Sequence, residues 1–345
     1  MIPYFIAEDQ ALVEDLSSAF DNVIFYPSYK TMWKMLRSQT VVVDGNEWTN
    51  NFKVFFLMNA KKVQLWHGNG MKTIGLENAY YLNSPVRRMK FKLLQSYPIY
   101  DIVTLPSKLQ IEKRGDAFNK KEVMLNGQPR NDVLFNQFHD SDQVNYGIDE
   151  EAVNKISKLK RKGYKLVLYS PTWKLKTEAA QHKLTKSLNL EKMEPFLKKN
   201  KIVFIFKLHP KDVLNYGQLN NEAFMTYHKD KDVYPAMKHI DVMITDYSSI
   251  YLDSILLDRP MIFFSYDQDE YIKNERALQY DYDQITPGKK CKSTNELIDE
   301  LETLLVWNED AYIKERKEVR NLFYEYIDGN SCNRIVDRMK HLIEL

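Results

Sequence analysis

The chain has 345 residues, with 49 Lys and Arg against 47 Asp and Glu, a formal net charge of +2, and 13% aromatic side chains. That length accommodates two domains with a sizeable core, and the near balance of charge gives no global reason to expect nucleic acid as a partner. The two cysteines, Cys291 and Cys332, exclude a disulfide framework and a CxxC cluster, which fits a reducing cytosol. No apolar run approaches the roughly 20 residues of a membrane-spanning helix.

Met1–Asp9 has no basic flank and turns acidic early, so it reads as the start of a folded domain. Short β-branched and aromatic runs then recur, each followed by a polar turn and a longer helix-like stretch, an alternation typical of parallel-sheet α/β proteins. Val23–Tyr26, Val41–Asp44, Lys62–Trp66, Ile102–Leu105 and Glu122–Leu125 read as strands of a first half. Within it, Val86–Tyr97 interleaves apolar and cationic residues. As a helix it either packs on its own domain or offers Arg87, Arg88 and Lys92 to anionic headgroups.

From Asn136 to Gly163 the chain is polar and charged, including a helix-like Glu150–Lys162, with few apolar residues to anchor a shared core. This places a boundary near residue 145 and domains at 1–145 and 146–345. Leu166–Ser170, Ile202–Phe206, Val242–Ile244 and Met261–Phe264 read as strands of a second Rossmann-like half. The tail from Asn308 is helical in pattern with a break at Asp328-Gly329-Asn330, so its last helix can cross back onto the first domain.

Four segments carry candidate chemistry. In Trp66-His67-Gly68-Asn69-Gly70 an apolar strand runs into a His followed by two glycines, which free the backbone to approach a ligand. His67 reads as a general base, since imidazole exchanges protons near neutral pH, or as a turn cap. In Lys207-Leu208-His209-Pro210 the period of two puts Lys207 and His209 on one side of a strand end, two donors suited to phosphate or two groups at a solvated terminus. Thr245-Asp246-Tyr247-Ser248-Ser249 ends a strand and opens a helix, a place for a pyrophosphate or simply a cap, with Asp253 one turn on and in reach of a ribose hydroxyl. Asp328 to Arg334, including Ser331, repeats that logic near the C-terminus. The triplets Asp140-Ser141-Asp142, Asp267-Gln268-Asp269 and Asp281-Tyr282-Asp283 are of a kind frequent in acidic loops and are assigned no metal. Glycine-rich dinucleotide and Walker patterns are absent.

Taken in order, Trp66-His67-Gly68, Gly127-Gln128-Pro129-Arg130-Asn131-Asp132, Ser170-Pro171-Thr172-Trp173, Lys207-Leu208-His209-Pro210, Thr245 to Ser249 and Asp328 to Arg334 resemble the CDP-glycerol glycerophosphotransferase family over roughly residues 35 to 340. The resemblance implies an α/β, GT-B-like architecture of two Rossmann-like domains facing across a cleft, with the donor held mainly by the second. It implies transfer of a glycerol-phosphate or related polyol-phosphate unit from CDP-glycerol or CDP-ribitol to an acceptor hydroxyl, with release of CMP, in teichoic-acid or capsule polymer synthesis. The acceptor implied is a polyol-phosphate or a lipid-linked saccharide. His67 and His209 take the catalytic roles. Arg130, Lys207, Thr245, Asp246, Ser248, Ser249, Asp253, Ser331 and Arg334 are the implied substrate contacts. No cofactor, essential metal or nucleic acid is expected. The implied location is cytoplasmic, peripheral at the inner face of the membrane, with Val86–Tyr97 as the lipid contact. Rival readings are a GT-B glycosyltransferase using a nucleotide sugar and a catalytically silent binding protein, the latter disfavoured by the presence of both histidines. The chain departs from the family pattern at Asn69-Gly70, where Thr-Pro is usual, at Cys332, where Ser is common, and at Arg276-Ala277, where Arg-Gly is expected.

Overall fold

A computed structural model of the chain describes residues 2–49, 51–70, 74, 84–89, 99–136, 147–172, 187–208, 220–268 and 279–344. The chain forms two compact units: Met1–Gly68 with Thr73–Tyr146 and Tyr324–Leu345, and Asn69–Lys72 with Gly147–Phe323. Among the described residues no helix is long and apolar enough to cross a membrane.

The first unit opens with β1 (Phe5–Ala7), α1 (Gln10–Ser17), β2 (Val23–Phe25) and α2 (Tyr29–Leu36), in which β1 and β2 pair in parallel. Asp9 and Ser28 start the two helices by accepting backbone N–H groups of their first turns, donors that a helix leaves unpaired. A second parallel sheet follows in sequence order: β3 (Thr40–Val43), β4 (Lys61–Gln64), β5 (Tyr100–Leu105) and β6 (Lys120–Leu125). β5 is buried along its whole length, as expected of an apolar strand covered on both faces. The helix α3 (Lys108–Arg114) begins at Ser107, whose hydroxyl accepts the Gln110 N–H.

The second unit is built on one six-stranded parallel sheet with the order β12-β11-β10-β7-β8-β9. Its elements run α4 (Glu150–Arg161), β7 (Lys165–Tyr169), α5 (Leu190–Lys199), β8 (Ile202–Phe206), β9 (Phe224–Thr226), α6 (Tyr234–Met237), β10 (Val242–Thr245), α7 (Ile250–Ser254), β11 (Met261–Phe264), α8 (Tyr282–Ile285), β12 (Lys289–Cys291), α9 (Thr294–Leu305) and α10 (Ile313–Phe323). Numbered within the sheet, this is the doubly wound order 3-2-1-4-5-6. The core joins Tyr169, Phe204, Phe206, Phe224, Ile244 and Phe264 of the strands to Leu297 and Leu301 of α9. Removing a side chain of this size from water contributes about 1.5–3 kcal/mol.

The last helix, α11 (Ser331–Glu344), belongs to the first unit. Its residues Ile335, Met339 and Leu342 recur at i, i+4 and i+7 and pack on Val63, Ile102 and Met124 of the four-stranded sheet. Arg338 on the same helix is bonded to Glu122 of β6 through two contacts, at 3.2 and 2.6 Å.

Candidate functional site

In the second unit, β7 and β10 are neighbours from which the chain winds in opposite directions, so the crevice for a ligand opens beyond their C-terminal ends. Ser170-Pro171-Thr172 leaves β7 there and Asp246–Ser249 leaves β10. Thr245 and Asp246, read from the sequence as substrate contacts, are buried and committed to shaping these loops. The Thr245 hydroxyl donates to the Ser170 carbonyl at 2.7 Å. Asp246 Oδ1 accepts from the N–H groups of Thr172 at 2.7 Å and Tyr247 at 2.6 Å. The Tyr282 hydroxyl in turn donates to the Asp246 carbonyl at 2.9 Å. Ser248 and Ser249 stand at the start of α7 and are half-buried, and no side-chain hydrogen bond caps that helix. Hydroxyls and helix-start N–H groups together form a donor set for an anion.

Asp253, read from the sequence as in reach of a ribose hydroxyl, is fully buried, and its Oδ2 accepts the Tyr234 hydroxyl at 2.6 Å, which holds α7 to α6. Lys207, read from the sequence as a phosphate donor, stands just past β8. Its ammonium donates to the carbonyls of His228 at 3.1 Å and Lys229 at 2.6 Å and lies 5.8 Å from the Tyr227 ring centroid. Burial lowers its pKa, against the opposing pull of Asp232, Asp230 and Asp149. The lysine thus fastens the 228–229 loop beside the strand end. Next to the crevice, the Tyr247 hydroxyl donates to Asp267 at 3.2 Å, and burial and then Asp267 push its pKa up, so it is held as the neutral donor. His209, with its neighbour Pro210, lies outside the described residues, as do Trp173 and Arg276-Ala277.

In the first unit, the loop after β4 turns sharply because Trp66 adopts φ 57° and Gly68 φ 111°. This aims His67 into solvent, with its ring 4.1 Å from that of Trp66, which is itself set edge-on to Phe118. His67 Nδ1 lies 3.1 Å from the Asp44 carbonyl oxygen. A carbonyl can only accept, so Nδ1 carries the proton, and the neutral ring presents the lone pair of Nε2. Arg130, read from the sequence as a substrate contact, braces this loop by donating from Nη1 to the His67 carbonyl. A Cβ on Gly68 would stand 2.0 Å from Arg130 Nη2 and would force a side chain into the left-handed region. Gly68→Ala is therefore expected to lower turnover by about tenfold or more through misplacement of the imidazole, and circular dichroism should show the fold retained.

The Asp328–Arg334 motif folds onto the Gly127–Asp132 motif inside the same unit. Both oxygens of Asp132 cap the start of α11, accepting the N–H groups of Ser331 at 3.0 Å and Cys332 at 2.7 Å. Asn126 donates to the Ser331 carbonyl at 3.1 Å and accepts from Arg334 Nε at 2.8 Å. Arg334 makes a two-pronged pair with Asp328, at 2.7 and 3.0 Å, and stacks 4.1 Å from the Tyr326 ring centroid. This pairing holds the Asp328 carboxyl below the usual carboxylate range. The Ser331 hydroxyl fills the space where a Cβ on Gly127 would stand, at 2.3 Å. Ser331 and Arg334 are thus oriented by Asn126, Asp132 and Asp328. These three lie within the quoted motifs or beside them, but their bonds span up to 208 residues and leave no local signal. Among the described residues no group of three His, Cys, Asp or Glu side chains forms a metal-binding cluster.

The family model of CDP-glycerol:poly(glycerophosphate) glycerophosphotransferase matches residues 2–341. The chain is 28% identical over 287 residues to a teichoic acid poly(ribitol-phosphate) polymerase of Bacillus spizizenii, covering 81% of this chain and 43% of that one. It is 25% identical over 329 residues to a teichoic acid glycerol-phosphate primase of Bacillus subtilis, covering 91% and 76%. The chain spans about half the length of the curated ribitol-phosphate polymerases it matches. Its fold is similar to that of the wall teichoic acid polymerase TagF, with a TM-score of 0.72 at 21% identity over 94% of this chain and 77% of that one. A weaker likeness, with a TM-score of 0.52 at 11% identity over 99% and 96%, joins it to the UDP-bound MnaA of S. aureus. The α/β, GT-B-like fold class follows from these likenesses and the parallel sheets. With its motifs gathered at strand ends and the family model matching nearly end to end, the chain belongs to the CDP-glycerol:poly(glycerophosphate) glycerophosphotransferase family.

Proposed function

We propose that the chain transfers a polyol-phosphate unit from a CDP-alcohol, CDP-glycerol or CDP-ribitol, to an acceptor hydroxyl in teichoic-acid or capsule polymer synthesis. The observation that carries this reading is His67, exposed at a strand end with Nδ1 engaged by the Asp44 carbonyl, which leaves Nε2 as the basic nitrogen. In this mechanism the acceptor oxygen attacks the β-phosphorus while Nε2 takes its proton. The bond from that phosphorus to the oxygen bridging the two phosphates breaks, and CMP departs with the bonding pair. Charge grows on phosphate oxygens, and stabilising it is most of what phosphoryl transfer asks of a protein. The N–H groups and hydroxyls at Ser248 and Ser249 supply that stabilisation, with His209 and Arg334 as further donors. Lys207, Arg130, Thr245 and Asp246 act by holding loops in place, and no metal takes part. The acceptor is a polyol-phosphate or a lipid-linked saccharide. The protein works in the cytoplasm with peripheral contact to the membrane. In the Val86–Tyr97 segment, Val86 and Met89 are exposed on a helical turn at residues 85–89, and residues 90–97 lie outside those described.

The test is incubation of the chain with CDP-glycerol, CDP-ribitol or UDP-sugars, each with and without a short polyol-phosphate acceptor and in the presence of EDTA. CMP release from a CDP-alcohol, dependent on acceptor and undiminished by EDTA, is the expected result. Consumption of UDP-linked donors alone would overturn the reading, and a strict Mg²⁺ requirement would remove its metal-free form.

A further inference from the structure

β4 is an inner strand of the four-stranded sheet, and Gln64 is its last residue. The parallel register sets Gln64 opposite Val43, the last residue of β3, and opposite Val103 of β5. Two loops therefore leave the sheet side by side, one starting at Asp44 and the other at Leu65. Gln64 is fully buried, and an amide in that position is costly unless its donors and acceptor are paired. Its Oε1 accepts the Trp66 N–H at 2.9 Å, and its Nε2 donates to the Gly45 carbonyl at 3.0 Å. These partners fix which end of the amide is which, because a backbone N–H only donates and a carbonyl only accepts. An ionised carboxylate of the same length would face the Gly45 oxygen with a second acceptor, so the position calls for an amide.

One side chain thus ties together the two segments that define the His67 imidazole. On the β4 side, Trp66 has φ 57°, a left-handed conformation that a bulky residue seldom adopts, and the bond to its N–H holds it there. His67 is the next residue. On the β3 side, Gly45 directly follows Asp44, whose carbonyl oxygen lies 3.1 Å from His67 Nδ1. The same loop is anchored further along by Tyr100, whose hydroxyl donates to Asn46 Oδ1 at 3.0 Å and lies 2.7 Å from the Thr49 hydroxyl. Burial raises the pKa of Tyr100, so the phenol stays a neutral donor. A small displacement of either loop would part Nδ1 from its acceptor and free the ring to turn or to move its proton to Nε2. We infer that Gln64 is a positioning residue of the transfer reaction: by spanning the Trp66 turn and the Gly45 carbonyl, it keeps Asp44 against Nδ1 and leaves Nε2 as the basic nitrogen. The inference rests on the reading of His67 as the base and assigns control of its proton position to a buried residue.

The experiment compares the whole chain as wild type, Gln64→Leu, His67→Ala and the double variant. Two measurements are made: CMP release from the CDP-alcohol with acceptor, and proton–nitrogen correlation spectra of the histidine rings at about pH 8.5, above the ordinary imidazole range. The His67 signals are those missing from His67→Ala. The wild type is expected to carry its ring proton on Nδ1. Gln64→Leu is expected to show exchange between the two tautomers and to lose about tenfold or more in kcat, with KM for the CDP-alcohol unchanged. Adding Gln64→Leu to His67→Ala should cost no more than about twofold further, because a residue that acts through the imidazole has nothing left to position. Gln64→Met, unbranched and adaptable, replaces Gln64→Leu if the latter proves unfolded by circular dichroism. A wild-type ring protonated on Nε2 would overturn the inference, as would a folded Gln64 variant with wild-type tautomer and turnover. So would a double variant about tenfold slower than His67→Ala, which would mark a general loosening of the fold. Near-wild-type turnover of His67→Ala would instead sink the base reading, and the spectra would still decide whether Gln64 orders the ring.

Discussion

Replacement of His67 by alanine is expected to lower turnover by about a hundred- to ten-thousandfold, the range a positioned general base contributes, with donor affinity unchanged. The geometry supports a loss confined to the chemical step. His67 is exposed, so removing its ring opens no cavity, and among the described residues its side chain is hydrogen-bonded through Nδ1 to the Asp44 carbonyl. The expected signature is therefore a fall in kcat with the Kd for the CDP-alcohol and the unfolding temperature both close to wild type. His209→Ala makes the contrast, since loss of a phosphate contact weakens donor binding as well as rate. Isothermal titration with the CDP-alcohol and a CMP-release assay separate the two. A His67→Ala protein turning over near the wild-type rate would exclude the residue as the base.

Asp132→Ala should have the largest effect on stability among the site residues. The carboxylate is buried and accepts two N–H groups at the first turn of α11, with a separate oxygen for each. Removing a helix cap costs about 0.5–2 kcal/mol. Here two donors, one buried and one partly buried, lose their acceptor, which puts the expected loss at the upper end, about 2 kcal/mol. Because α11 carries Ile335, Met339 and Leu342 onto the sheet, the loss should register as a lower denaturant midpoint. It should also loosen Ser331 and Arg334, weakening donor binding. Asp132→Asn keeps one accepting oxygen and is expected to lose about half as much. An Asp132→Ala protein with an unchanged midpoint would show that the cap contributes little.

Much of the sheet architecture was legible because the central strands are buried on both faces. Ile202–Phe206 and Met261–Phe264 are wholly apolar and bracketed by polar turns, and such runs stand out without any knowledge of their neighbours. β1, β9 and β12 were not legible. Each has three residues, too few to show a period. β12 reads Lys-Lys-Cys and is extended because β11 offers it hydrogen-bonding partners. The candidate site divides in the same way. The residues at strand ends were found because strand termini and helix starts have local signatures. The hydrogen bonds that orient Thr245, Asp246, Asp253, Arg130 and Lys207 were not legible because their partners lie 75, 74, 19, 63 and 21 residues away.

The sequence by itself thus determined the alternation of strands and helices, the family, and the segments that end at the crevice of the second unit and at the His67 loop of the first. These follow from side-chain periodicity, turn chemistry and motif order, all of which act over a few residues. Only the tertiary structure decided that β7 and β10 adjoin, that Asp132 caps α11, that Asp44 selects the proton position on His67, and that Arg130 spans Gly68. A hydrogen bond reaches about 3 Å, and which groups come within that reach across 23 to 200 residues of chain is settled by the packing of the core.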